Sequence, residues 1–393
     1  MIKHFRLFNL KISKTIALSI FLLGMSLNSS SVIPRPDHVV ICILENHSFS
    51  QVIGVSSAPY INSLVSQSAS LEEYYALTHP SQPNYLMMFS GSNQGETTDN
   101  LPVGTPWTTP NLGASLLMTG YTFAAYSEDL PTTGSTVATS GAYARKHCPW
   151  VNWQGNGPNQ IPASCNLAMD QFPTDFTHLP DVSFVIPNQN NDMHNGADPA
   201  KISVGDSWVQ NFLKPYTDWA QTHNSLLILT FDEDNFTTTN RIMLLFSGEM
   251  VQPGAYTQNG YNHYDLLRTI EDMFALPHAG NAGNARPITE IWKTGSTTGI
   301  TDFSYSSLTA SVYPNPLSDN SQITISNDQH INNENVHLVV YDIAGRKRND
   351  QVINLKPGKN KFPFSREGLA GGIYTYQLLN EKRMVATGRV VVE

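Results

Sequence analysis

Several polar clusters interrupt an otherwise apolar sequence, and each carries side chains that bind cations or move protons. Glu45-Asn46 ends the run Val39-Val40-Ile41-Cys42-Ile43-Leu44. Asp192 and His194 follow the run Val182-Ser183-Phe184-Val185-Ile186, and Asp232-Glu233 ends a run over 226–231. Glu45, Asn46, Asp232 and Glu233 are oxygen donors and suit a hard cation such as Ca²⁺, Mg²⁺ or Mn²⁺. Asp192, His194 and His263 mix carboxylate with imidazole and suit Zn²⁺ or Fe. Carboxylates gathered in one place repel one another unless a cation neutralises them, so the set itself implies a divalent metal. Ser81 sits between Pro80 and Gln82-Pro83, just before an apolar helical run. Its hydroxyl is expected at a helix start, where free N–H groups favour anions, although an ordinary N-cap serine reads the same way. A neutral hydroxyl is a poor nucleophile. Metal coordination would lower its pKa and aim it at a phosphorus or carbonyl centre.

Positioning these groups requires a sheet. Apolar runs that end abruptly in polar residues read as buried parallel strands, and ligands in open α/β sheets bind beyond the strands' carboxyl ends. Strands are predicted at 39–44, 121–126, 181–188, 226–231 and 241–248, and helices at 58–68, 111–120, 206–220 and 265–274, with a further helical run after the Ser81 turn. The alternation predicts an α/β domain, a mostly parallel sheet sandwiched by helices, over residues 32–294. Residues 141–166, with Lys146, His147, Trp150 and Trp153, read as an irregular loop over a site. Lys146 is expected as surface charge, with contact to phosphate as the alternative, Asp234 and Asn235 as solvated turn residues, and His38 and His79 as structural. Thr78 rivals Ser81 as nucleophile; the Gln-Pro-Asn turn directly after Ser81 favours the latter.

Residues 1–31 combine a basic segment, a short apolar one and small polar residues, as a secretory signal peptide does. No other stretch is apolar enough to span a bilayer. In an exported protein Cys148 and Cys165 could close a loop, while Cys42 reads as a buried free thiol. The formal net charge of -9 argues against nucleic acid as a partner, since phosphate backbones need clustered Lys and Arg. Near residue 300 the texture changes. Residues 295–308 are linker-like, and 309–393 contain short strands separated by turn signals, predicting a small immunoglobulin-like β-sandwich.

The motifs Glu45-Asn46-His47-Ser48-Phe49, Pro80-Ser81-Gln82-Pro83-Asn84-Tyr85, Pro187-Asn188 with Asp192-Met193-His194, Thr230-Phe231-Asp232-Glu233 and His263-Tyr264-Asp265 together resemble the bacterial phosphoesterase family. That family holds acid phosphatases and phospholipases C and belongs to the wider alkaline-phosphatase-like superfamily. The resemblance implies a secreted hydrolase of phosphate esters. Ser81 would carry a covalent phospho intermediate, and Glu45, Asn46, Asp232 and Glu233 would hold the activating metal. Asp192, His194 and His263 would form a second site, for a metal or for substrate and leaving group, and His147 would touch phosphate or protonate the leaving oxygen. A phospholipase C, or a non-catalytic surface protein with a structural Ca²⁺, remains as an alternative. At the other end, Val312-Tyr313-Pro314-Asn315-Pro316, Val340-Tyr341-Asp342-Ile343-Ala344-Gly345-Arg346 and Gly372-Ile373-Tyr374 resemble the C-terminal sorting domain of type IX secretion cargo. This implies passage through the periplasm to the cell surface or medium, with the type IX machinery as partner.

Overall fold

The computed structural model describes residues 33–293 and, towards the C-terminus, 309–318, 321–327, 333–342, 346–356, 358–366, 368–380 and 383–392. The expected signal peptide and linker lie outside the described residues. In chain order the first part contains β1 (His38–Leu44), α1 (Phe49–Val52), α2 (Pro59–Val65), β2 (Ala69–Tyr75), α3 (Ser81–Ser90), α4 (Leu112–Met118) and β3 (Phe123–Ser127). The short strands β4 (Thr139–Ser140), β5 (Tyr143–Ala144) and β6 (Asn166–Ala168) follow. Then come β7 (Val182–Ile186), α5 (Ala200–Ala220), β8 (Ser225–Phe231), β9 (Arg241–Ser247), β10 (Gly254–Tyr256), β11 (Tyr261–Asn262) and α6 (His263–Met273).

One sheet runs β10-β2-β9-β8-β1-β7-β3-β6, with β11 also on β2. β1 lies at its centre because every residue from Val39 to Leu44 is apolar and buried, so neither face needs water. It pairs in parallel with β7 on one side and β8 on the other. β9 runs antiparallel to both β8 and β2, so the sheet is mixed. The connection from Phe231 to Arg241 is too short for a crossover helix, which a parallel pairing would need. All the other strands of this path point one way, and the carboxyl ends of β1, β2, β7 and β8 therefore share an edge. β2 escapes a periodicity reading because Glu72 and Glu73 interrupt its apolar residues at a bulge between Leu71 and Tyr74.

α5 begins at Ala200, earlier than its aromatic anchors Trp208, Phe212 and Trp219 indicate. Its Asp206 carboxylate accepts from Tyr60 N at 3.0 Å and Ile61 N at 2.8 Å, tying it to the first turn of α2. Cys148 and Cys165, a possible pair from the sequence, are both free thiols, as is Cys42. The Cys148 thiol is turned to the Ser127 hydroxyl, 3.2 Å away, and packs beneath the loop.

The C-terminal part holds β12 (Thr309–Tyr313), β13 (Gln322–Asn327), β14 (Asn333–Asp342), β15 (Lys347–Leu355), β16 (Gly358–Pro363), β17 (Gly372–Asn380) and β18 (Arg383–Val392). They form two antiparallel sheets, β12-β13-β16 and β15-β14-β17-β18. Ile323 and Ile325 of the first share a buried cluster with Leu338, Val340, Tyr376 and Leu378 of the second.

Candidate active site

The nucleophile candidate is built by a turn. Pro80 is the N-cap of α3 and Ser81 its first residue. The Asn84 side chain reaches back to the turn, accepting from Leu77 N at 3.1 Å and Thr78 N at 3.2 Å and donating to Thr78 O at 2.8 Å. Ser81 therefore does not cap the helix. Its buried Oγ lies 3.0 Å from Glu45 Oε2, 3.3 Å from Glu233 Oε1 and 3.4 Å from the amide terminus of Asn46.

Glu45 is fixed through its backbone, whose N–H donates to Asp192 O at 2.8 Å. Asn46 adopts a left-handed conformation (φ 55°), which asparagine tolerates better than most residues. That turn directs its N–H to Asp232 Oδ1 at 3.2 Å and brings its amide terminus within 3.2 Å of both Glu45 Oε2 and Glu233 Oε1. Glu45 bridges to a second group. Its Oε1 accepts from the Tyr85 hydroxyl at 2.5 Å and lies 3.2 Å from His147 Nε2. Glu45, His147 and Asp192 offer donor atoms that all lie within 4.8 Å of one another, so this buried trio could bind a metal. Asp192 Oδ2, Asp232 Oδ2 and His147 Nε2 are buried without a hydrogen-bond partner. Orphaned acceptors beside a gathered carboxylate set are what a cation site leaves when only protein atoms are counted, so the residues fit a divalent metal.

A phosphoesterase family model matches residues 55–277. A phosphatidylinositol-3-phosphatase of Mycobacterium tuberculosis is 45% identical over 266 residues, covering 67% of this chain and 85% of that protein. This chain belongs to the phosphoesterase family. A probable acid phosphatase of Kluyveromyces lactis is 27% identical over 266 residues, 64% of this chain and 61% of its own length, and an acid phosphatase of Aspergillus fumigatus is 26% identical over 272 residues, 65% and 59%. The chain thus spans about three fifths of these fungal relatives. A protein of the alkaline phosphatase superfamily from Vibrio parahaemolyticus superimposes with a TM-score of 0.48 and 11% identity, over 89% of this chain and 84% of that one. A secretion system C-terminal sorting domain model matches residues 311–393. The chain is a phosphoric ester hydrolase with a C-terminal sorting domain.

The electrostatics of this phosphoesterase site follow from crowding and burial. Burial and neighbouring carboxylates push Glu45 well above the usual range, and burial does the same for Asp192. Burial raises Asp232 to about 7, and burial with the Asp232 charge raises Glu233 to about 9. Burial first, then the Lys146 charge, pushes His147 well below its ordinary value. Its approach to Glu45 is therefore not an ion pair: a neutral imidazole with an unpartnered Nε2 is a metal-ligand form.

The predicted residues divide. Ser81, Glu45, Asn46, Asp232, Glu233 and Asp192 come together. His147, expected near phosphate or leaving group, is buried between Glu45 and Asp192 and stacks on Tyr85. His194 is half-buried, its Nδ1 3.1 Å from Asn195 Oδ1, and its backbone N–H binds Asp192 Oδ1 at 2.8 Å. His263 does not join the second ligand set as expected. Its Nε2 lies 2.6 Å from the Asp232 carbonyl and its Nδ1 2.8 Å from the Tyr74 hydroxyl, so both nitrogens are engaged and the ring braces the β8 turn. Asp234, read as solvated, is buried and accepts from Thr237 N at 2.8 Å.

Sequence reasoning gave no site role to His79 or Tyr85 and read Lys146 first as surface charge. His79 touches Glu233 Oε2 through Nδ1 at 2.7 Å, with Nε2 3.1 Å from Thr237 O. Tyr85 lies one turn beyond Ser81 on α3, a spacing that could have flagged it. Lys146 pairs with Asp99 at 2.8 Å; nothing in the sequence links those two positions.

Proposed function

We propose that this chain is an exported, metal-dependent phosphatase that works through a phosphoserine at Ser81. The observation that carries the reading is the Ser81 hydroxyl at a helix start, 3.0 to 3.4 Å from Glu45, Glu233 and Asn46, beside orphaned carboxylate oxygens. Glu45, Asn46, Asp232 and Glu233 would hold one divalent cation, and Glu45, His147 and Asp192 a second. Bound there, a cation supplies positive charge that lowers the pKa of the hydroxyl and offsets that of the phosphate.

Ser81 Oγ, oriented by its hydrogen bond to Glu45 Oε2, releases its proton to solvent and attacks phosphorus. The P–O bond to the alcohol breaks, and the alkoxide takes a proton at the rim, where His194 is the half-buried imidazole. Water then attacks the phosphoserine and gives a proton back to the His194 imidazole; the bond from phosphorus to Ser81 Oγ breaks, phosphate leaves, and Oγ takes a proton from solvent to restore the hydroxyl. His79 and Tyr85 hold Glu233 and Glu45 in place throughout, and His263 holds the backbone of Asp232.

The matched sorting domain supports export through the type IX machinery, and the two antiparallel sheets around one core support a sandwich for it. Among the described residues no helix is long and apolar enough to cross a membrane. The test is Ser81→Ala. It should abolish turnover of p-nitrophenyl phosphate, and rapid quenching of the wild type should trap label on Ser81. Full activity in the variant would end the proposal.

A further inference from the structure

Lys146 is the cation whose charge is felt at Glu45, Asp192, Asp232 and Glu233 alike. It belongs to the loop segment that delivers His147, yet its side chain remains 19% exposed, so a substrate arriving from solvent can reach it. Its Nζ is held 2.8 Å from Asp99 Oδ2, and the other Asp99 oxygen accepts from the backbone N–H of Gln82 at 3.0 Å. Gln82 is the residue after Ser81. Its side chain donates to Thr98 O at 2.8 Å and Asn100 O at 2.7 Å, so the Asp99 loop is registered on the nucleophile's own helix turn. A surface ion pair has no need of such a tether. The tether fixes one ammonium group relative to one hydroxyl.

A phosphate monoester brings three terminal oxygens and a charge of about -1.5 to -2 near neutral pH, whereas a diester brings two terminal oxygens and a single charge. In an in-line attack by Ser81 Oγ the three terminal oxygens of a monoester spread around the attack axis. Those on the carboxylate side would meet the cation those residues hold, which leaves one for a group on the Lys146 side. We propose that Lys146 binds this extra terminal oxygen, that Asp99 is the positioning residue that sets its Nζ, and that the pair selects phosphate monoesters over diesters. This rests on Ser81 being the nucleophile. A compact point charge suits a terminal phosphate oxygen. Asp99 keeps the ammonium from collapsing onto the acidic cluster when no substrate is present.

The test compares kcat/KM for p-nitrophenyl phosphate and bis(p-nitrophenyl) phosphate in the full chain with divalent metal. Lys146→Met should lower the monoester value about 10- to 100-fold more than the diester value, the effect of losing one charge-assisted contact that only the monoester makes. Lys146→Arg should restore part of the preference, and Asp99→Asn should lower it in the same direction. Inorganic phosphate, used as a competitive inhibitor, should bind Lys146→Met more weakly by a similar factor. Equal losses on both esters would mean that Lys146 only neutralises the acidic cluster, and an unchanged phosphate inhibition constant would mean that it does not touch the ligand. Either overturns the proposal. Ser81→Ala run alongside separates the two ideas: turnover surviving there sinks the nucleophile, whereas a dead Ser81→Ala with equal losses in Lys146→Met sinks the monoester clamp alone.

Discussion

Stripping divalent cations should destabilise the catalytic part of the chain, by an amount that grows as pH rises. Two carboxyls set the sign. Asp232 moves from an ordinary 3.8 to about 7, and Glu233 from 4.5 to about 9, chiefly through burial. Both folded-state values lie above the unfolded ones. The metal-free native chain therefore keeps protons that the unfolded chain has already released. The stability these groups contribute is fully present below about pH 4 and is lost as pH rises through about 7 and then 9. A cation must displace those protons to bind, so its affinity rises with pH. Each proton displaced adds about 1.4 kcal/mol of binding free energy per pH unit while that carboxyl is still protonated. Two protons are displaced below about pH 7 and one between about 7 and 9, so at about 2 to 4 °C of Tm per kcal/mol for a body of this size the gap between metal-loaded and chelated protein should widen by about 6 to 11 °C per pH unit below pH 7 and by about 3 to 6 °C above it. Scanning calorimetry from pH 5 to pH 8, in EDTA and in excess Ca²⁺, Mg²⁺, Mn²⁺ or Zn²⁺, reads this directly. A gap that stays constant or narrows with pH would refute the linkage, and identical Tm values in EDTA and in every metal would refute the metal site.

Two further substitutions separate the site from its scaffold. His79→Ala removes the partner of Glu233 Oε2 and should lower kcat about tenfold with little change in Tm, while His79→Gln should recover part of it; an unchanged kcat would leave His79 a loop residue. Asp206→Ala removes the acceptor of two buried backbone N–H groups at α2 and should cost about 2 kcal/mol, or about 4 to 8 °C, with kcat preserved; a stable variant would show that water replaces the carboxylate.

The strands that carry the chemistry were legible because burial on both faces writes itself as an unbroken apolar run. Residues 39–44 form such a run, 182–186 and 226–231 come near it with one buried hydroxyl each at Ser183 and Thr230, and each stretch ends where a polar group must leave the sheet. The Ser81 turn was legible too, because two prolines and an asparagine leave that backbone few alternatives. β2 was not, since its glutamates sit at a bulge that only pairing with β9 accommodates. Nor was the reversal of β9, which follows from the shortness of its connection rather than from any residue in it.

Sequence by itself determined which side chains of ligand type lie at strand ends, because the alternation of apolar run and polar stop is a local property. It could not determine which histidine enters the cluster. His147, His194 and His263 are equivalent as isolated residues. The fold decides among them through hydrogen bonds. Tyr74 and the Asp232 carbonyl claim both nitrogens of His263, Asn195 holds His194 at the rim, and the loop packed over α3 drives His147 between Glu45 and Asp192. A ring nitrogen serves as ligand only when nothing else has bonded it, and that is a property of neighbours brought together in space.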